Sequence, residues 1–159
     1  MVEVVTFNIL FLCTGNTCRS ALAEGIARDA VDRRGWHNVE IRSAGTGAMP
    51  DIEASDDAVT VAADRGIDLS AHRSQPLTPE LVAWADLVLA MSPSHLWTVG
   101  EMDGADKAGL LTDFIDGDGY GQAIEDPYGA GVDTYRETAD QLATAIDALL
   151  DRLSAILAP

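Results

Sequence analysis

Residues 7–20 read FNILFLCTGNTCRS, and this stretch decides the fold. Phe7 to Leu12 form a short, almost continuous apolar run, which suits a strand buried on both faces of a parallel sheet. From Arg19 to Arg34 the apolar residues Leu22, Ile26, Ala27, Ala30 and Val31 recur at helical spacing, and Arg33 and Arg34 precede a stopping Gly35. Between them lies the turn CTGNTC. A strand, a glycine-containing turn and a helix in that order open an α/β unit.

Outward from this unit the alternation continues. Val39 to Arg42 reads as a second strand running into the turn-rich SAGTGAMPD, and Ala54 to Arg65 as a second helix ahead of Gly66. Thr78 before Pro79 and Ser92 before Pro93 each set a capping hydroxyl ahead of a proline at the first helical position. Residues 85–91, ADLVLAM, lie between these helix starts as a third strand, and Ala108 to Leu111 supply a short fourth. The acidic, glycine-rich stretch 112–131, TDFIDGDGYGQAIEDPYGAG, reads as a long loop of the kind that carries function. After it Tyr135, Leu142, Ile146, Leu149, Leu153 and Ile156 mark the apolar stripe of a last helix, with Thr134 and Glu137 at capping-box spacing. The expectation is one domain over residues 1–159: an α/β sheet with helices on both faces and a ligand site at the carboxyl ends of its strands.

Composition narrows the function classes. The 159-residue chain carries 10 Lys plus Arg against 26 Asp plus Glu, a net charge of −16, which argues against nucleic acid or an anionic membrane as partner. Its 47% hydrophobic residues suffice for a core, so the acidity belongs to the surface. No apolar segment has the length of a membrane span. Cys13 and Cys18, the two cysteines, are too few and too closely spaced to staple a secreted domain, so a reducing cytoplasm is the expected compartment. No metal site is expected, because no His or Cys adds ligands at zinc spacing. The turn also lacks the Gly-Lys-Ser/Thr ending of a nucleotide P-loop.

Cys13 closes the first strand and Arg19 opens the helix. A loop of this length can curl its backbone N–H groups inward as an anion nest, to which the helix N-terminus adds its dipole. Gly15 would permit a backbone angle closed to other residues. A nest beside a guanidinium favours the nucleophilic thiolate of Cys13, and the planar fork of Arg19 matches two oxygens of a transferring phosphoryl group. Attack at phosphorus then needs an acid for the leaving group and a base for the water that follows. Asp126 in EDPYG is the leading candidate, with Pro127 stiffening the chain beside it and Tyr128 able to line the mouth; Glu125 is the other acid there. Taken singly, each has a plainer reading: a small buried hydrophobe for either cysteine, and a turn aspartate before proline for Asp126.

Together these residues resemble the low-molecular-weight protein tyrosine phosphatase family through FLCTGNTCRSALAEG, SAGTG, GIDLSAHRSQPLT, ADLVLAM and EDPYG, which span nearly the whole chain. The resemblance implies a four-stranded parallel sheet, no metal or cofactor, a phosphocysteine intermediate on Cys13 and Asp126 as general acid. It implies a phosphate-binding loop of Cys13, Thr14, Gly15, Asn16, Thr17, Cys18, Arg19 and Ser20, shaped by a hydrogen-bond network of Asn16, Ser20, Ser43 and His72. Phosphorylated proteins as substrates and inhibition by phosphate-like oxyanions follow from it as well. Ala21 stands where most members have proline, a small change in a helix. Ala48, Met49 and Gly129 fall where eukaryotic members carry aromatics, so Thr17, Ala48, Met49 and Tyr128 are the expected pocket lining.

Thr17 stands where the tyrosine phosphatases commonly carry an aliphatic residue, and in this the chain resembles the bacterial protein-arginine phosphatase branch of the family. A hydroxyl at the pocket wall favours a polar guanidinium over a flat phenyl ring. A threonine that only packs or caps locally is the plain alternative, so phosphotyrosine and phosphoarginine both stay open. Two other classes compete. Thioredoxin-coupled arsenate reductases resemble this chain in fold and loop, but they relay oxidation through further downstream cysteines, and none follows Cys18. Cys18 is instead a candidate for a reversible disulfide with Cys13. A phosphate-binding module without turnover would need neither a nucleophile nor an acid.

Overall fold

The apolar run at the head of the chain becomes β1, Phe7–Cys13, which lies between two parallel neighbours in the computed structural model; the structure describes residues 6–115, 117 and 120–157. β2, Val39–Gly45, pairs along the full length of β1, with Phe7 opposite Val39 and Cys13 opposite Gly45. β3, Leu87–Ala90, pairs on the other side, and β4, Ala108–Leu110, pairs with β3 in turn. The sheet is four-stranded and parallel, in the order β2-β1-β3-β4. Its winding direction reverses between β1 and β3, the place where open α/β sheets bind ligands beyond their carboxyl ends.

Strand alternation sorts the core into two layers. Ile9, Phe11 and Cys13 face one side, where they join Leu22 and Ile26 of α1 (Arg19–Arg33), Val61 of α2 (Asp56–Asp64), and Leu142, Ile146 and Leu149 of α5 (Val132–Leu157). Leu10 and Leu12 face the other, against Leu81 and Val82 of α3 (Pro79–Trp84) and Val99 of α4 (Pro93–Glu101). Helices therefore cover both faces. Both proline-led helix starts form, with Thr78 Oγ1 accepting from Leu81 N at 3.2 Å and a capping box at Ser92 whose reciprocal acceptor is His95.

Several local expectations are corrected. The left-handed residue in the first turn is Asn16, φ 57°, and not Gly15; asparagine tolerates this region when its amide is bonded locally, as it is here. Thr134 does not cap the last helix, because glycines 129 and 131, φ 79° and 95°, turn the chain into α5 before it, and Thr134 Oγ1 donates back to Ala130 O at 3.3 Å. β2 runs past Arg42 to Gly45, since Ser43, Ala44 and Gly45 pair with Phe11, Leu12 and Cys13. α2 starts at Asp56 and not Ala54, with Ser55 ahead of it tied by its N–H to Thr17 O at 3.0 Å. The stretch 112–131 is not irregular throughout, for Leu111–Phe114 forms a 3₁₀ turn; positions 116, 118 and 119 lie outside the described residues. Among the described residues no helix is long and apolar enough to cross a membrane.

Candidate active site

Asn16 is the hub of the turn after β1. Its side chain is fully buried, and its Nδ2 donates to Ser20 Oγ at 2.8 Å and to Ser43 Oγ at 2.9 Å. Its Oδ1 accepts from Gln75 N at 2.9 Å, which settles the orientation of the amide. The Asn16 carbonyl accepts from His72 Nε2 at 2.7 Å. Having accepted from Asn16, Ser43 donates to Glu24 Oε1 at 3.0 Å, and the single Ser20 proton has Cys13 Sγ, 2.8 Å away, as its nearer acceptor and Ala44 O at 3.5 Å as the other. Asn16 N donates to the same sulfur at 3.3 Å. Two donors thus converge on Cys13 Sγ, and the predicted residues Asn16, Ser20, Ser43 and His72 form one connected network around it, joined by Glu24 and Gln75.

Three neighbours brace the loop from outside. Thr46 N donates to Cys13 O at 2.9 Å and Gly47 N to Thr14 O at 3.0 Å, so the turn after β2 lies directly on the loop backbone. A Cβ on Gly45 would collide with the Thr14 carbonyl and come within 2.8 Å of Ala48 Cβ, and only glycine fits there. On a second flank the phenol of Tyr135, 1% exposed, lies 3.1 Å from Cys18 Sγ and accepts from Ser55 Oγ at 3.1 Å. Burial, then the contact with Cys18, pushes the Tyr135 hydroxyl well above its ordinary range, so it stays a neutral phenol. On the third, His95 Nε2 lies 3.0 Å from Thr14 Oγ1. Burial, and after it the nearby charge of Arg19, hold this imidazole down to about 4.

Arg19 opens α1 with its side chain buried. Its Nη1 donates to Ile124 O at 2.8 Å, and Ile124 N donates to Met91 O at 2.8 Å, so the chain leading to Asp126 is anchored at the sheet. Asp126 itself is exposed and accepts from Tyr128 N at 3.0 Å, the turn arrangement expected of an aspartate before proline. Among the described residues no hydrogen bond joins Asp126 to Cys13 or Arg19. Glu125 is exposed too, as are Tyr128 at 72% and Met49 at 70%, while Ala48 and Thr17 are half-buried. Thr17 Oγ1 lies 3.7 Å from Cys18 Sγ.

The loop leaves donors unused. Among the described residues the backbone N–H groups of Gly15, Thr17 and Cys18 donate to no protein acceptor, and they immediately precede Arg19 at the N-terminus of α1. That is the arrangement an oxyanion fits. No cluster of three His, Cys, Asp or Glu side chains able to hold a metal occurs among the described residues.

Residues 8–157 match the model of the low molecular weight phosphotyrosine protein phosphatases. The chain belongs to that family. This phosphatase is 39% identical over 148 residues to the protein-arginine-phosphatase of Bacillus subtilis (strain 168), covering 92% of this chain and 96% of the relative. A solved structure of the YwlE arginine phosphatase, a cysteine-to-serine mutant with a phosphorylated active-site serine, matches at TM-score 0.87 and 37% identity over 93% of this chain and 96% of that one. The tyrosine phosphatase Wzb from Escherichia coli K30, in complex with sulphate, matches at TM-score 0.83 and 30% identity over 94% and 99%. The four-stranded sheet and the hydrolase class are those of the phosphatase family.

Proposed function

We propose that this phosphatase hydrolyses phosphorylated protein side chains through a phosphocysteine on Cys13, with phosphoarginine as its preferred substrate. The observation that carries the reaction is the convergence at one loop of a doubly hydrogen-bonded Cys13 Sγ, open backbone donors and the Arg19 guanidinium. In the first step the Cys13 thiolate attacks phosphorus, an S–P bond forms, and the bond from phosphorus to the leaving nitrogen or oxygen breaks as the Asp126 carboxyl gives up its proton. In the second, the Asp126 carboxylate takes a proton from water, water oxygen bonds to phosphorus, and the S–P bond breaks to release phosphate. Arg19 and the loop N–H groups balance the charge on the equatorial oxygens throughout. Asn16, Ser20, Ser43 and His72 hold the loop for this work. Free phosphate-like oxyanions compete for the same donors.

The preference for phosphoarginine rests on Thr17, whose half-buried hydroxyl offers a polar wall, and on the likeness to protein-arginine phosphatases. Tyr128, Ala48 and Met49 complete the pocket wall in this reading. Residues 1–159 act as one domain in the cytoplasm, where Cys18 protects Cys13 by reversible disulfide formation. Phosphotyrosine is the second reading, favoured by the likeness to Wzb. The deciding experiment compares kcat/KM for a phosphoarginine and a phosphotyrosine peptide, without added metal, on wild type and Thr17→Ile. Wild type should favour phosphoarginine and Thr17→Ile should reverse the order. A preference for phosphotyrosine in both proteins makes Thr17 a local packing residue and the enzyme a tyrosine phosphatase.

A further inference from the structure

His95 has no part in the reaction as derived so far, yet both ring nitrogens are committed. The backbone N–H of Ser92 donates to Nδ1 at 3.2 Å. An amide N–H only donates, so Nδ1 holds the lone pair and the ring proton sits on Nε2. With the tautomer set in this way, Nε2 donates to Thr14 Oγ1 across 3.0 Å, and the hydroxyl is the acceptor. Thr14 therefore keeps its own proton for another partner. The histidine ring is buried, 3% exposed, whereas Thr14 stands exposed in the loop between Cys13 and Gly15.

We propose that His95 is a positioning residue of the phosphatase reaction: it fixes the Thr14 hydroxyl as a donor to the phosphoryl oxygens, beside Arg19 and the loop backbone. This role rests on the phosphoryl-binding reading of the same loop. An O–H aimed at an oxyanion makes one of the stronger hydrogen bonds, and it gains as charge builds up in the transition state. The imidazole suits the task because it remains neutral beside the Arg19 charge and so presents one proton in one direction. Its two nitrogens have separate duties, Nδ1 to the start of α4 and Nε2 to the loop.

That separation makes the role testable. His95→Asn keeps an acceptor near the place of Nδ1 but does not reach Thr14, whereas His95→Gln sets an amide donor near the place of Nε2. The readouts are the dissociation constant of inorganic orthophosphate by calorimetry, which needs no turnover, and kcat and KM on a phosphorylated peptide. His95→Asn and Thr14→Val should each weaken orthophosphate binding ~10-fold and lower kcat/KM at least as far, with the melting temperature preserved. His95→Gln should regain most of the loss, and His95→Asn combined with Thr14→Val should be no worse than Thr14→Val alone. Orthophosphate binding by His95→Asn equal to wild type overturns the proposal, as do losses that multiply in the double variant. A loss that follows a lowered melting temperature and is not restored by His95→Gln also overturns it, leaving a helix cap only. Should wild type bind orthophosphate yet hydrolyse no peptide, the proposed function falls while the binding comparison still decides the role of His95.

Discussion

The Arg19 guanidinium donates to the carbonyl of Ile124 across 2.8 Å, so the side chain at the head of α1 also holds the base of the loop that carries Asp126. In the proposed reaction the same group also binds the phosphoryl oxygens, which it can do because its donors fan out in a fixed fork and Nη1 alone is shown on Ile124.

Arg19→Lys keeps the charge and loses the fork. A lysine ammonium cannot grip two phosphoryl oxygens and the Ile124 carbonyl together, so kcat/KM should fall ~10²–10³-fold with the fold intact by circular dichroism. Activity near that of wild type would show that charge alone suffices.

Gly45→Ala should damage stability and site together. The added methyl meets the Thr14 backbone carbonyl, which cannot move without shifting the loop, so urea unfolding should report a loss of ~1–3 kcal/mol and activity should drop in the folded fraction. Gly47→Ala is the control: there the new carbon would find Thr14 Cγ2 at 3.6 Å and Thr14 O at 3.9 Å, both ordinary contacts, and the change should stay below ~1 kcal/mol.

The two glycines also show what could be read in advance and what could not. β1, the turn and α1 were legible because period, turn residues and helix punctuation agree within one continuous stretch. Ser20 beside Cys13 was legible from the chemistry of the loop itself, whereas Ser43 and His72 were legible only through the family resemblance, since nothing local in either points to Asn16. Glu24, Gly45, Ser55, Gln75, His95 and Tyr135 were missed, and each acts through a partner distant in sequence. His95 reaches Thr14 across 81 positions, and its local signal was merely a helix start after Ser92-Pro93. Tyr135 read as one member of an apolar stripe, because a pattern of burial does not reveal where a hydroxyl ends. Gly15 misled for a physical reason: glycine permits a positive φ, but the bonds of the buried Asn16 amide place that angle one residue later.

Stability should respond to acid through His95. Its folded-state value, about 4, lies below the ordinary 6.5, so between these limits the unfolded chain binds a proton that the folded chain refuses. Stability is therefore lost as pH falls from 6.5 to 4, and below 4 this group adds no further slope. Unfolding free energies measured over that range should fall less steeply in His95→Gln, which has no proton to take up; identical slopes would contradict the assignment.

In the proposed protective role the Cys18 sulfur bonds to Cys13 and gives up hydrogen-bond contacts it now makes. That sulfur lies 3.1 Å from the Tyr135 hydroxyl and 3.5 Å from Ser55 Oγ. Tyr135→Phe removes the first of these contacts, at a cost of ~1 kcal/mol in stability, and should speed formation of the Cys13–Cys18 disulfide under peroxide as followed by mass spectrometry. An unchanged rate would show that the contact does not restrain the thiol, and absence of any internal disulfide would remove the protective role of Cys18.

The most direct measurement concerns the covalent step. Cys13→Ser, incubated with a phosphoarginine peptide and digested, should carry phosphate on the residue at position 13 when mapped by mass spectrometry, while peptide turnover is abolished. Undiminished turnover by this variant, or phosphate found only on another residue, would contradict Cys13 as the nucleophile.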